Sequence, residues 1–193
     1  MDLKTAVVCF FDAYPPKSGA GNVSWDFFES VKNSKKFFQL SDKNINNRKI
    51  SNTNIFFNKP FFKVLFLPIF IFKILNFLKG KKKKLIIIEG ASWVFYSFIF
   101  LYFCKFFKNI YVIYRAHNIE YELRSYKNIF FIKYLTKFFE KYIFNNSFIA
   151  TAVSDLDKKK IKKLYKSHTF IFPNSINTSV LKKSKKNKIL NLP

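Results

Sequence analysis

Residues 85–120 read LIIIEGASWVFYSFIFLYFCKFFKNIYVIYRAHNIE, and this stretch decides the fold class. LIII at 85–88 is a continuous apolar run of strand length, the pattern of a strand covered on both faces. Residues 92–107 are too long for one strand and predict a helix, with Ser92 placed to cap it. IYVIY at 110–114 is a second buried strand. Strand, helix and strand in this order form a βαβ unit, whose two strands run parallel.

The alternation extends in both directions. LKTAVVCFF at 3–11 predicts an opening strand, followed by the turn-rich loop DAYPPKSGAGN at 12–22 and a helix over 24–33. A short strand is expected at 37–40, a polar surface loop rich in Asn and Lys at 41–54, and a third strand at 54–57. Residues 60–78 predict a helix with Pro60 in its first turn and Pro68 as a kink. The run KKKK at 81–84 reads as a solvated turn. Downstream, a helix is expected over 126–144 and a strand over 148–153. A Lys-rich helix capped by Ser154 follows over 154–165, then a last strand at 169–172 opened by a structural His168, and a break at 173–177. The fold class is therefore α/β: a Rossmann-like doubly wound parallel sheet with helices on both faces.

With 193 residues, 49% of them hydrophobic, the chain can bury a core without staples, and disorder of the whole is excluded. Its two cysteines, Cys9 and Cys104, sit inside apolar runs. That excludes a disulfide scaffold and a Cys-rich zinc site, and no His, Asp or Glu spacing suits a metal. No basic segment followed by a small-residue cleavage site opens the chain. The expected location is cytoplasmic, with the inner face of a membrane as the surface it would reach.

The net charge is +24, from 35 Lys and Arg against 11 Asp and Glu. Such a balance attracts the phosphates of nucleic acid, anionic lipid or sugar nucleotides. The 28 Phe beside only 4 Gly, and the predominance of Lys among the basic residues, also fit an A/T-rich codon bias, so charge alone does not choose the partner. Two apolar stretches bear on a membrane. Residues 61–78 are interrupted by Lys63, Pro68 and Lys73, and 91–104 falls short of the roughly 20 residues needed to cross. Buried helices of a Phe-rich core and a basic, aromatic face lying on a bilayer are both open readings.

In open parallel sheets, ligands bind at the carboxyl ends of the strands. The unusual polar residues fall there. Gly19, Ala20 and Gly21 follow the first strand, and Glu89 and Gly90 follow LIII. Arg115, His117, Asn118 and Glu120 follow IYVIY, Ser154 follows the strand ending at Val153, and Asn174 follows FIF. Gly19 and Gly21 either serve a turn or let backbone approach an anion at a helix N-terminus. Glu89 either accepts from hydroxyls or caps the next helix. His117 is suited to a sugar hydroxyl or to proton transfer near neutral pH. The GxxxxGK[ST], GxGxxG and GxSxG fingerprints are absent.

PPKSGAGN at 15–22, EG at 89–90, RAHNIEYELR at 115–124, ATAVSDLD at 150–157 and FPNSIN at 172–177 come in an order that resembles the N-terminal domain of family-4, GT-B fold glycosyltransferases. The resemblance covers most of residues 1–177 and leaves 178–193 as a Lys-rich tail or the start of a linker. It implies two Rossmann-like domains facing across a cleft, the first binding a sugar or lipid-linked acceptor and the second a nucleotide-sugar donor. The 19–21 loop would approach the donor phosphates and the acceptor, and His117 would lie near the transferred sugar as the catalytic residue. Glu120 and Arg124 would support the His117 loop. Ser154 and Asp155 match a segment usually read as Ser-Glu, and residues 174–177 match the usual Asn-Gly-Val-Asp turn; Ala20 and Ser175 stand where Gly is common. No cofactor or metal is implied. The donor-binding carboxylates would belong to a second domain or subunit, so the chain alone is expected not to transfer sugar. The alternative is a basic module without catalysis that binds a membrane surface or nucleic acid, the latter disfavoured because the lysines are scattered and no recognition motif appears.

Overall fold

The computed structural model describes residues 3–32, 34–57, 59–80, 83–125 and 130–174. Apolar runs pair side by side, as expected of strands that must bury both faces. The strands are β1 (Leu3–Cys9), β2 (Ser34–Ser41), β3 (Ile50–Asn54), β4 (Lys83–Gly90), β5 (Ile110–Ala116), β6 (Ile149–Ala152) and β7 (Phe170–Ile171). They form one sheet in the order β3-β2-β1-β4-β5-β6-β7, with every pair parallel. The order reverses between β1 and β4, which makes that crevice the place where this architecture takes its ligands.

Side chains alternate across the sheet. Val7, Cys9, Phe37 and Ile87 face α1 (Gly19–Ser30) through Phe28 and Trp25. Val8, Phe38, Ile86, Ile88, Val112 and Tyr114 face the larger layer, built from α2 (Pro60–Leu78), α3 (Val94–Cys104), α5 (Phe130–Asn146) and α6 (Asp155–Tyr165). A short α4 (Glu120–Ser125) lies between β5 and α5. Helices thus cover both faces, as expected for a doubly wound sheet, but unequally.

Several local expectations change. The segment 19–21 is the first turn of α1, not a loop, because Ser18 caps it: its Oγ accepts from the Gly21 N–H at 3.1 Å. The polar stretch 41–54 is not all loop, and the third strand is Ile50–Asn54 instead of 54–57. It finds its backbone partners on the free edge of β2, with Phe37 opposite Ile50. Lys83 and Lys84 open β4 and are not turn residues, while 81–82 lie outside the described residues. The residue capping α3 is Trp93, with no side-chain bond, and Ser92 caps nothing. Its Oγ is buried without a hydrogen-bond partner among the described residues. The α2 helix runs unbroken through Pro68, which sits on its exposed side. The helix placed at 126–144 begins within the described residues at Phe130, and α4 was not anticipated. His168 precedes β7 and is exposed. The break at 173–177 is described only to Asn174.

A buried hydrogen-bonded carboxylate at the strand crossover

Glu89, the penultimate residue of β4, is wholly inaccessible to solvent. It does not cap α3. Instead its two oxygens collect three partners, from β5, α1 and the turn that follows β5. Arg115 Nη1 on β5 donates to Oε1 at 2.5 Å. Ser24 Oγ on α1 donates to Oε2 at 2.9 Å, and His117 Nε2 lies 2.7 Å from the same oxygen. A buried carboxylate costs several kcal/mol unless its lone pairs are filled, and here each oxygen is bonded. The register explains the gathering. Cys9, Glu89 and Arg115 sit opposite one another on β1, β4 and β5, facing α1.

The bond to Glu89 also sets the histidine. An ionised carboxylate can only accept, so Nε2 carries a proton, and in the neutral imidazole Nδ1 is then the acceptor. The His117 side chain is 6% exposed, too little to be freely hydrated. Arg115 was expected past the strand end and is instead inside β5. Its guanidinium lies over Phe27 at 3.9 Å and Phe172 at 4.7 Å, which ties α1 and the segment after β7 to the same cluster. Gly90 is required here: a Cβ on it would fall 2.6 Å from the Tyr114 hydroxyl oxygen and 2.8 Å from the Arg115 carbonyl oxygen.

The N-terminus of α1 opens one turn before Ser24. Ser18 satisfies the Gly21 N–H, which leaves the amides of Gly19 and Ala20 at the positive end of the helix. Gly21 is packed against the Ala13 carbonyl, 3.0 Å from where its Cβ would stand, whereas Gly19 has open space around it. The preceding loop is clamped by Gln39 of β2, whose side chain accepts from the Tyr14 N–H at 2.9 Å and donates to the Tyr14 carbonyl at 3.0 Å.

The segment after His117 is held from behind. Asn118 has a buried Oδ1 without a partner among the described residues. Glu120, itself buried, begins α4, and its N–H and that of Tyr121 donate to Glu140 of α5 at 2.7 and 3.0 Å. Tyr165 of α6 donates to the same carboxyl at 2.5 Å. Burial pushes the Glu140 carboxyl up to about 7, although all three donors favour its charged form. Arg124 lies on α4, one turn after Glu120. Ser154 caps α6, accepting from the Asp157 N–H at 3.1 Å and donating to the Asp157 carboxylate at 2.7 Å. Asn174 is exposed, two residues past Phe172; Ser175 and the rest of the expected turn lie outside the described residues.

The structure therefore joins Glu89, Arg115 and His117 directly and sets the α1 N-terminus beside them, with Asn118, Glu120, Ser154 and Asn174 along the same sheet edge. Sequence reasoning missed Ser24, Gln39 and Glu140, because each acts across elements distant in sequence. Burial and the neighbouring Glu89 push the Cys9 thiol well up, and burial raises Cys104 to about 12, so neither is a ready nucleophile. Among the described residues, no group of three or more His, Cys, Asp or Glu is placed to hold a metal.

The class defined by this sheet is the Rossmann-like α/β domain, with a buried polar cluster at the crossover of its strands. An alpha-glucosyltransferase in complex with UDP and a 13-mer DNA containing a central A:G mismatch matches 95% of the chain, with a TM-score of 0.50 and 10% sequence identity. A second structure, alpha-glucosyltransferase (AGT) in complex with UDP, matches 90% at 11% identity with a TM-score of 0.47. The chain covers 44% and 41% of those structures, less than half of either. What is shared at such identity is the fold. No protein-family model and no curated protein matches the sequence.

Proposed function

We propose that this chain is the acceptor-side half of a glycosyltransferase of family-4 type, moving a sugar from a nucleotide-sugar donor to an acceptor hydroxyl. The observation that carries the reading is the Glu89–His117 pair at the crossover of the sheet, locked by Arg115 and Ser24. With Nε2 held by Glu89, His117 Nδ1 accepts the proton of a sugar or acceptor hydroxyl as that hydroxyl attacks the anomeric carbon. The Gly19 and Ala20 amides at the α1 N-terminus attract the developing negative charge on the departing diphosphate. Arg115 is a positioning residue, since its charge is spent on Glu89. Glu120, Arg124, Asn118, Ser154 and Asn174 line the acceptor side. The donor is held by a second domain or subunit, in keeping with the half-length match to the glucosyltransferase structures.

The test is transfer of labelled hexose from a UDP-sugar to a panel of acceptors that includes lipid-linked sugars and duplex DNA. The chain alone should give no transfer. The chain together with its donor-binding half should give transfer, and His117→Ala should lower it by at least about a hundredfold, the usual scale of a lost acid-base group. Transfer by the isolated chain, or unimpaired transfer in His117→Ala, overturns the proposal.

A further inference from the structure

The outer face of the helix layer opposite α1 carries a second feature. The α3 helix packs between α2 and α5, and most of the large apolar side chains exposed among the described residues lie on these three helices and their flanks. On α2, Phe61 (68% exposed), Leu65, Ile69 and Phe72 (70%) recur at helical spacing along its first three and a half turns. Phe103 and Phe106 continue the face at the end of α3, and Phe138 continues it on α5. Between α2 and α3 the surface dips into an open apolar groove of about 390 Å³, lined by Pro68, Phe72, Ile99 and Phe103 among others. A codon bias alone would scatter phenylalanines, yet α1 exposes no large apolar side chain.

The charged side chains that α2, α3 and α5 present to solvent are all basic. The only carboxylate on α2, α3 or α5 is Glu140, which is buried. Lys59 and Lys79 stand exposed at the two ends of α2, Lys105 and Lys108 follow α3, and Lys141 lies on α5. Beyond α5, α6 adds exposed lysines on the same side of the sheet, with Asp155 exposed only at its first turn. An apolar face rimmed by lysines and free of exposed carboxylates complements an anionic lipid surface. A second copy of a chain with net charge +24 would bring like charges together.

We propose that the outer face of α2, α3 and α5 docks flat on an anionic bilayer. It lies on the membrane and does not cross it. The α2 helix has the length and apolar character of a span, but its inner side, with Leu67, Phe70, Ile74 and Leu78, fills the core, and Lys63 donates to the Phe10 carbonyl at 2.8 Å. Crossing would strip the sheet of that cover. The reading is independent of the transferase proposal.

The test is co-sedimentation of the full chain with vesicles of phosphatidylcholine alone and of phosphatidylcholine mixed with phosphatidylglycerol. Binding should need the anionic lipid and weaken as salt is raised. The double variant Phe61→Ser, Phe72→Ser should bind about tenfold or more weakly, since binding scales with inserted apolar area, with an unchanged melting temperature. Phe170→Ser, on the exposed strand β7, should bind as the parent does. Equal binding to both vesicles, no binding to either, or full binding by the double variant overturns the proposal. So does a dimer in solution that the double variant abolishes, which would make a second copy the occupant.

Discussion

The two faces of the sheet are built from the same residue types and do opposite things with them. On the α1 face, Trp25, Phe28 and Phe37 pack ring against ring, at 5.2 to 5.5 Å, and Ser24 of α1 turns inward to hold Glu89. On the other face, α2 buries Phe70 and exposes Phe72, two residues away on the same helix. One face spends its polar groups on a site, and the other leaves apolar surface uncovered. Hydrophobicity therefore does not say which phenylalanines stabilise the fold; burial does.

The sharpest break of that contrast is a matched set of truncations. Phe28→Ala and Phe70→Ala, one on each face and both fully buried, should each cost about 3–5 kcal/mol in denaturant unfolding. Next comes Glu89→Ala, which strands the Arg115 guanidinium in the interior. It should cost about 3 kcal/mol in the same measurement, whereas Glu89→Gln, which keeps an acceptor, should cost less.

A third prediction concerns Glu140, the carboxyl buried on the helix-rich face. Glu140 titrates up to about 7 in the folded protein against an ordinary value of 4.5. The folded state therefore keeps its proton where the unfolded chain has lost it, and the associated stability, full below the unfolded value, is lost as pH rises through about 7. Unfolding followed across that window should show the decline, and Glu140→Gln should flatten it. The smallest effect belongs to Phe72→Ala. Its stability should stay within about 0.5 kcal/mol of the parent, since the ring touches mainly solvent; a loss as large as that of Phe70→Ala would show that this face is covered in the free protein.

Much of this was legible in the residues. Pro60–Leu78 follows from an N-terminal proline and a long apolar run, and Ser154 shows itself as a cap by the Asp three residues on. Glu89, Arg115 and His117 stood out as polar residues at the ends of apolar strands. Ile50–Asn54 did not, because ISNTN has no strand pattern of its own and is ordered by the open edge of β2. Nor did the helical turn at Gly19–Gly21, where glycines argue for a loop and only the Ser18 cap and the Ala13 contact argue otherwise.

By itself, the sequence determined the alternation of strands and helices, since periodicity and run length are local properties, and with it the sheet edge where the polar residues fall. The tertiary structure alone decided that Glu89 is shared by Ser24, Arg115 and His117, because strand register sets Arg115, 26 positions on, beside it and the packing of α1 on the sheet brings Ser24 from 65 positions away. It alone decided which aromatic rings lie inside. In a chain with 28 phenylalanines, helices such as α2 carry more apolar residues than the core takes, and only packing against the sheet separates those that fill the core from those left facing out.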